Sequence, residues 1–352
     1  MRKSYLSIVL IATLALTACG TNASNATNVT SISVEDMPLS AEPADDTTTQ
    51  NNTIATNTFK FNENVFSKKA ATIYGEKTKA SFFNLCKALK AGEDTFECPD
   101  EATYIECIEG DLLSHFFPAA VSCISADQTT GFEDGVGKIK YNITKDEFHS
   151  REKAFEDKVI DTLNANVDPS YSEFEKALNL YVYISQNFVY DYEMYEDYLA
   201  GKGENVGAYR ALMDNKGISQ ELSDLYSYLL LQCGVEADVI SGYNINGDHQ
   251  WSFVSIGGKD YHVDPTQGLS SPDLFDDNTP LDYFLMTDNT RAERDGFSDY
   301  YLCGSNSLNV QATDDKYSTL TGGYFLKLDC NRNILTYGGY DGGGVQEFRY
   351  DD

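Results

Sequence analysis

The chain has 352 residues, 41% of them hydrophobic, which is enough for one large domain or two smaller ones. Its formal net charge at pH 7 is −29. A polyanion of this kind is repelled by nucleic acid and by anionic lipid headgroups, so DNA and RNA are excluded as partners and any membrane contact must have another source.

At the start of the chain, Arg2 and Lys3 precede an apolar run from Leu6 to Leu16. That run is too short to span a bilayer, and residues 1–18 read as a secretory signal peptide. Loss of Arg2 and Lys3 takes the charge from −29 to −31. The segment "LTAC", Leu16 to Cys19, sets a leucine three positions before a cysteine with small residues between, and it resembles the bacterial lipoprotein processing site. The resemblance implies that Cys19 carries lipid and that the protein is exported and anchored to the bacterial membrane, facing outside. The other reading is an ordinary secretion signal with Cys19 as an incidental thiol. Residues 19–57 are almost all Thr, Asn, Ser, Ala and Asp. They cannot bury enough apolar surface to order themselves, and they read as a disordered tether.

Residues 58–165 read as a mixed, mainly helical region. Phe82, Leu85, Cys86 and Leu89 recur at helical spacing, "ECPDEATYIEC" restarts a helix with Pro99 near its first turn, and "GVGKIKYNI" has the look of a strand. A second long helix contains Phe155, Val159, Ile160 and Leu163. In residues 166–300, Phe174, Ala177, Leu178, Tyr181, Ile184 and Phe188 mark one face of a helix over 171–189. The tyrosines at 181, 183, 190, 192, 195 and 198 suggest either a sugar-binding platform or, the preferred reading, core and rim packing. A short helix over 206–213 precedes "NKGISQELSDLYSYLLLQCGV", in which Leu222, Leu225, Leu229 and Cys233 share a face and Gly234 ends the helix. The period then turns extended, and "EADVISGY", "HQWSFVSI" and "KDYHVDP" read as three strands. Residues 301–352 are Tyr- and Gly-rich and read as a small β extension, with "GGYDGGG" forming turns.

Eight cysteines occur, at 19, 86, 98, 107, 123, 233, 303 and 330. In an exported protein they suggest two disulfides among Cys86, Cys98, Cys107 and Cys123, one between Cys303 and Cys330, and a buried thiol at Cys233. No CxxC or HxxxH spacing supports a metal, and no cofactor motif is present.

The last hairpin permits a count. With Gly257 and Gly258 as its two loop residues, Ile256 faces Lys259, Trp251 faces Asp264, and His249 faces Thr266. His249, Trp251 and Asp264 then share one face. His249 and Asp264 become diagonal neighbours, about 7–8 Å apart at the backbone, so the carboxylate can hold the imidazole. A three-residue loop would place them on opposite faces. An Asp-held His beside a nucleophile at a helix N-terminus is the layout of papain-like thiol chemistry.

On these residues the chain resembles the bacterial transglutaminase-like domain over about 170–295. The carriers are "GISQELSDLYSYLLLQCGVEADVISG" and "HQWSFVSIGGKDYHVDPT", supported by "YDYEMYEDY", "GAYRALMDNKG" and "DYFLMTD". The resemblance implies an α+β fold with a papain-like core, the nucleophile helix packed on an antiparallel sheet that bears the His and Asp. It implies acyl transfer or hydrolysis at an amide. His249, Trp251, Asp264, Pro265 and Thr266 match the family pattern, but Ser219 stands where the family has its cysteine, and Glu221 where a small residue is usual.

Three readings of Ser219 follow: a helix N-cap, a pseudoenzyme pocket, or a working Ser219–His249–Asp264 set. The first two are preferred. A helix terminus and a His can poise a thiolate but not an alkoxide, and Glu221 sets a negative charge in the first turn. The expected function is a non-catalytic module whose cleft, lined by Trp251, binds a peptide, a protein or a cell-wall peptide. The alternatives are an amide hydrolase or acyltransferase using Ser219, and a surface scaffold with an unused cleft.

Overall fold

The computed structural model describes residues 58–108, 110–125, 131–203, 205–244, 247–270, 278–297, 300–302 and 310–351. The signal and tether expected over 1–57, Cys19 and Cys303 lie outside them. In chain order the N-terminal region holds α1 (Lys68–Ala91), β1 (Thr95–Glu97), α2 (Glu101–Ile108), α3 (Gly110–Phe116), β2 (Phe132–Glu133), β3 (Val136–Lys138) and α4 (Lys145–Asn166). The middle region follows with α5 (Glu173–Asn187), β4 (Val189–Tyr190), α6 (Tyr192–Leu199), α7 (Ala208–Asp214), β5 (Lys216–Gly217) and α8 (Ser219–Gln232). Next come β6 (Ala237–Asn244), β7 (Gly247–Ile256), β8 (Lys259–Val263), α9 (Asp288–Asp295) and β9 (Tyr300–Leu302). The C-terminal strands are β10 (Gly323–Asp329), β11 (Ile334–Gly339) and β12 (Gly344–Arg349). All lie in one compact unit, Ala55–Asp352.

The middle region is organised by an antiparallel sheet of order β8-β7-β6-β9, against which α8 packs through β6 and β7. Leu222, Leu225, Leu229 and Cys233, expected from the sequence to share one face of α8, are all buried. Helix α5 starts at a capping box. Ser172 Oγ accepts from the Glu175 amide at 3.3 Å, and the Glu175 carboxylate accepts from the Ser172 amide at 2.6 Å. Its apolar stripe of Phe174, Ala177, Leu178, Tyr181 and Ile184 is buried. Residues Gly257 and Gly258 are the two-residue loop between β7 and β8, both with left-handed backbone (φ 60° and 74°), and Ile256 pairs with Lys259. Both faces of β7 are buried. Trp251 and Phe253 enter a core shared with α1, α2 and α3, whereas Val254 and Ile256 enter the core built on α5 and α8.

The C-terminal meander of order β10-β11-β12 is fastened to the start of α5. Phe174 stacks on Tyr317 and Tyr350, with ring centroids 5.2 and 4.6 Å apart, and the Tyr350 hydroxyl donates to Glu175 at 2.6 Å. At the other end, Ser67 caps α1 by accepting from the Ala70 amide at 2.9 Å, and its hydroxyl donates to Asp238 on β6. Burial raises the Asp238 carboxyl to about 6.

The expected disulfides among Cys86, Cys98, Cys107 and Cys123 are not formed. All four are buried free thiols, as is Cys233. Each of Cys98, Cys107, Cys123 and Cys233 lies near a backbone carbonyl, 3.3–3.7 Å away, and packs as a small apolar side chain. Burial pushes the thiols up, Cys233 to about 12. Cys330 is also free and half-buried. The expected pairing of Cys330 with Cys303 involves a residue outside the described set. No described helix is long and apolar enough to cross a membrane. The buried thiols give a direct check. Native protein treated with iodoacetamide at neutral pH should leave Cys86, Cys98, Cys107, Cys123 and Cys233 unmodified. Unfolding in denaturant without reductant should make all five alkylate, as read by peptide mass spectrometry. Disulfide-linked peptides from this set would show the free-thiol state to be wrong.

Candidate functional site

The site begins at the first turn of α8. Ile218 is extended (φ −87°, ψ 175°), and its carbonyl accepts the first helical hydrogen bond from Leu222 at 3.0 Å. Ile218 is therefore the N-cap residue and Ser219 the first residue inside the helix, which corrects the N-cap reading of Ser219. The capping is done by Glu221, whose carboxylate accepts from the Ile218 amide at 3.0 Å and the Gly207 amide at 3.2 Å. The Ser219 hydroxyl makes no hydrogen bond among the described residues and is left on the wall of a cleft. The amide of Ser219, with no earlier turn to bond to, is an orphan donor at the same place.

Glu221 is fully buried, but it is not a free negative charge. Arg210 on α7 donates through Nε at 2.7 Å and through Nη2 to its two carboxylate oxygens, and through Nη1 to Asp191 at 2.7 Å. Lys216 adds a second cation 3.0 Å from Asp191. Burial works against the Asp191 charge, yet Arg210, the Met194 amide and Lys216 hold its carboxyl at about 2. The electrostatic objection that the sequence raised through Glu221 is thus removed, because the guanidinium fork neutralises it in place.

On the sheet, His249 Nε2 lies 2.7 Å from Asp264 Oδ2, the pairing the two-residue loop permits. Asp264 is completely buried. Its Oδ1 accepts from the amides of Thr266 and Gln267, each at 3.1 Å, and Arg291 Nη2 lies 2.9 Å from Oδ2 as an ion pair without hydrogen-bond alignment. Burial alone would raise this carboxyl, but His249 and Arg291 bring it to about 2. An ionised Asp264 can only accept, so Nε2 of His249 carries the proton and Nδ1 is its basic nitrogen.

Arg291, from α9, is itself buried. It packs on Trp251 and Phe297, with its guanidinium carbon 4.4 and 4.8 Å from the ring centroids. The His249 ring stacks against the same two residues, at 6.0 and 5.7 Å between centroids.

Behind Trp251 stands a second histidine. The indole N–H donates to His262 Nδ1 at 2.9 Å, and His262 Nε2 lies 2.9 Å from Asp288. Indole can only donate, so His262 Nδ1 is unprotonated, and the ring is a neutral Nε2–H tautomer that donates to Asp288. Burial lowers the His262 pKa in the same sense. Tyr300 also donates to Asp288, at 2.7 Å.

Ser219 and His249 line one cleft of about 320 Å³, together with Tyr190, Tyr195, Asn244, Asp248, Gln267, Arg294 and Phe297 among others. Trp251 is fully buried beneath His249 and forms no part of the cleft lining, which corrects its expected place on the cleft wall. The pair β4–β5 is parallel, and the Asp191 amide donates to Gly217 at 3.1 Å, so the start of α6 is set beside the start of α8. The tyrosines divide. Tyr181 is core, Tyr183 and Tyr190 are half-buried, and Tyr192, Tyr195 and Tyr198 are exposed rather than packed. Among the described residues no group of three or more His, Cys, Asp or Glu side chains is placed to hold a metal ion. Sequence reasoning missed Arg210, Arg291, His262 and Asp288. Only "YHVDP" gave a signal, since a second His two residues before Asp264 shares its strand face.

Residues 158–265 match the model of the transglutaminase-like superfamily. That stretch, under a third of the chain, is thus similar to a transglutaminase-like domain, and it is built of mixed helix and sheet. A solved structure from Cytophaga hutchinsonii described as a cysteine protease is 18% identical over 26% of this chain and 30% of its own, with a TM-score of 0.22. Another, described as a TGase, is 17% identical over 36% of this chain and 34% of its own, with a TM-score of 0.27. The chain spans about a third of the length of these two proteins. A search of the curated proteins gave no match.

The Arg210 bridge can be broken selectively. Arg210→Met leaves Glu221 buried without its counter-ion and Asp191 with Lys216 alone, and should cost about 3–5 kcal/mol in urea unfolding. Adding Glu221→Gln, which removes one orphaned charge, should recover part of that loss. Equal stability of Arg210→Met and wild type would show that the bridge contributes nothing.

Proposed function

We propose that this is an exported, lipid-anchored protein whose transglutaminase-like cleft binds an extended peptide or cell-wall peptide without acyl-thioester chemistry. The observation that carries the reading is the hydroxyl of Ser219 at the first-turn position of α8, in a cleft shared with a His249 held by an ionised Asp264. A hydroxyl at that place has none of the acidity that lets a helix N-terminus and a neighbouring imidazole store a thiolate. The cleft keeps the parts that recognise an amide: the orphan backbone donor of Ser219, an imidazole and the polar side chains of Asn244 and Gln267. Anchoring rests on the "LTAC" segment alone.

A second reading is favoured by one specific observation. Ser219 is engaged in no cap and His249 offers Nδ1 as a base, so proton removal during attack is chemically open, with the Ser219 amide as an oxyanion donor. In that reading the chain is a serine amide hydrolase or acyltransferase.

Ser219→Cys separates the cases. If the cleft is assembled, the new thiol sits at a helix N-terminus beside His249. It should alkylate with iodoacetamide well below the free-thiol pKa of about 8.5, and His249→Ala should remove much of that reactivity. Alkylation like that of an ordinary thiol would remove the cleft reading. Covalent labelling of wild-type Ser219 by a fluorophosphonate, lost in His249→Ala, would replace the binding module with the serine enzyme. For the anchor, metabolic fatty-acid labelling should mark the wild-type protein and not Cys19→Ala. An unlabelled wild type would sink the lipoprotein assignment.

A further inference from the structure

Helix α6 has no buried residue. Tyr192, Tyr195 and Leu199 recur at i, i+3 and i+7, so they stand on one face, and they are 73%, 37% and 66% exposed. Tyr198, 49% exposed, and Val189, 54% exposed, flank them. This apolar face is continuous with the cleft. Tyr190 meets Tyr192 at 4.8 Å and Tyr195 at 6.1 Å between ring centroids, and both Tyr190 and Tyr195 line the cleft beside Ser219.

The face is also fixed in advance. Asp191 caps α6 by accepting from the Met194 amide at 3.1 Å, and the same carboxylate is held by Arg210, which grips Glu221 in the first turn of α8. Helix α6 is therefore tied to the site although it buries nothing. Between its tyrosines lie Glu193, Glu196 and Asp197, all exposed, and no basic residue occurs within the helix.

Aromatic faces interleaved with carboxylates select cations. The ring face attracts an ammonium or guanidinium, the alkyl stem of Lys or Arg packs on the ring, and the carboxylates complete the charge. An acidic segment would be repelled here, as by the chain as a whole. We infer that α6 is a docking face for a basic, extended peptide segment, whose continuation enters the Ser219–His249 cleft along Tyr190 and Tyr195. The inference rests on the reading that the cleft holds a peptide, and it gives that peptide a charge and a direction of approach.

The test uses the whole secreted chain. A fluorescein-labelled peptide of alternating Lys and Gly is titrated against it by anisotropy, beside a Glu and Gly counterpart. The basic peptide should bind saturably and the acidic one should not. Tyr192→Ala with Leu199→Ala, which alters no charge, should weaken binding about tenfold, from loss of two aromatic and apolar contacts. Glu193→Gln, Glu196→Gln and Asp197→Asn together should weaken it and flatten its salt dependence. Unaltered affinity in the Tyr192/Leu199 double variant would reduce the binding to general attraction by a polyanion and overturn the inference. So would equal binding of the acidic peptide, or displacement of the label by a chitin tetrasaccharide, which would make the face a sugar platform.

A second measurement keeps the two readings apart. In a Ser219→Cys background the basic peptide should slow alkylation, and the Tyr192/Leu199 changes should abolish that protection. If the introduced thiol reacts as an ordinary one, the cleft reading fails while the anisotropy still decides α6. If binding at α6 holds without protection, the segment docks but does not enter the cleft, and the proposed direction of approach is wrong.

Discussion

One guanidinium holds the site together. Arg210 sits on α7, yet it satisfies Glu221 on α8 and Asp191 at the start of α6. A buried ion pair gains little net stability over a well-packed apolar alternative, because each charge must be taken out of water. Its value here is in placement. Two carboxylates that also serve as helix caps are aimed at one planar fork, so three helix ends are set relative to one another by directional hydrogen bonds rather than by apolar contact. Ser219, Tyr190 and Tyr195 inherit their positions from that arrangement.

The opposite wall of the cleft is held by a different device. Trp251 is packed between His249 and His262, with Arg291 over its face, and these three polar partners are held by two carboxylates, Asp264 for His249 and Arg291 and Asp288 for His262. His262 has one tautomer available, since the indole demands an acceptor. His249 is likewise directed by Asp264. The sheet face carries two Asp–His pairs that differ in kind. One is sealed and neutral behind the indole, and the other is presented at the cleft with its second nitrogen open. Burial, not residue type, separates a structural histidine from a candidate functional one.

Much of this was legible in the sequence where the signal was local. The hairpin register followed from two glycines, since both adopt the left-handed conformation the short loop requires, and counting from them brought His249 to Asp264. The stripes of α5 and α8 followed from their period. Glu221 was misread because its partner, Arg210, lies in another helix and nothing in the spacing links them. Arg291 was invisible for the same reason: it belongs to a short, polar helix whose sequence reads as solvent-exposed, and only the fold turns it inward over Trp251. The cysteines misled because export and clustering suggest bridges, whereas packing uses them as apolar side chains. The tyrosines after Phe188 were assigned to core and rim because composition does not show that α6 buries none of its residues.

The stacking of Tyr350 on Phe174 bears on the kinetics of folding. The hydrogen bond from Tyr350 to Glu175 joins positions 175 residues apart in the chain, and the stacked rings span one residue more. Loop-closure entropy opposes such a contact until the intervening segments have collapsed, so it belongs to the late, high-contact-order part of the folding reaction. Helix α5 can form early through its own capping box, but its N-terminal end waits for the final strand. Through that interval Phe174 lacks one of its aromatic neighbours, and the start of α5 offers an apolar surface to other incomplete chains.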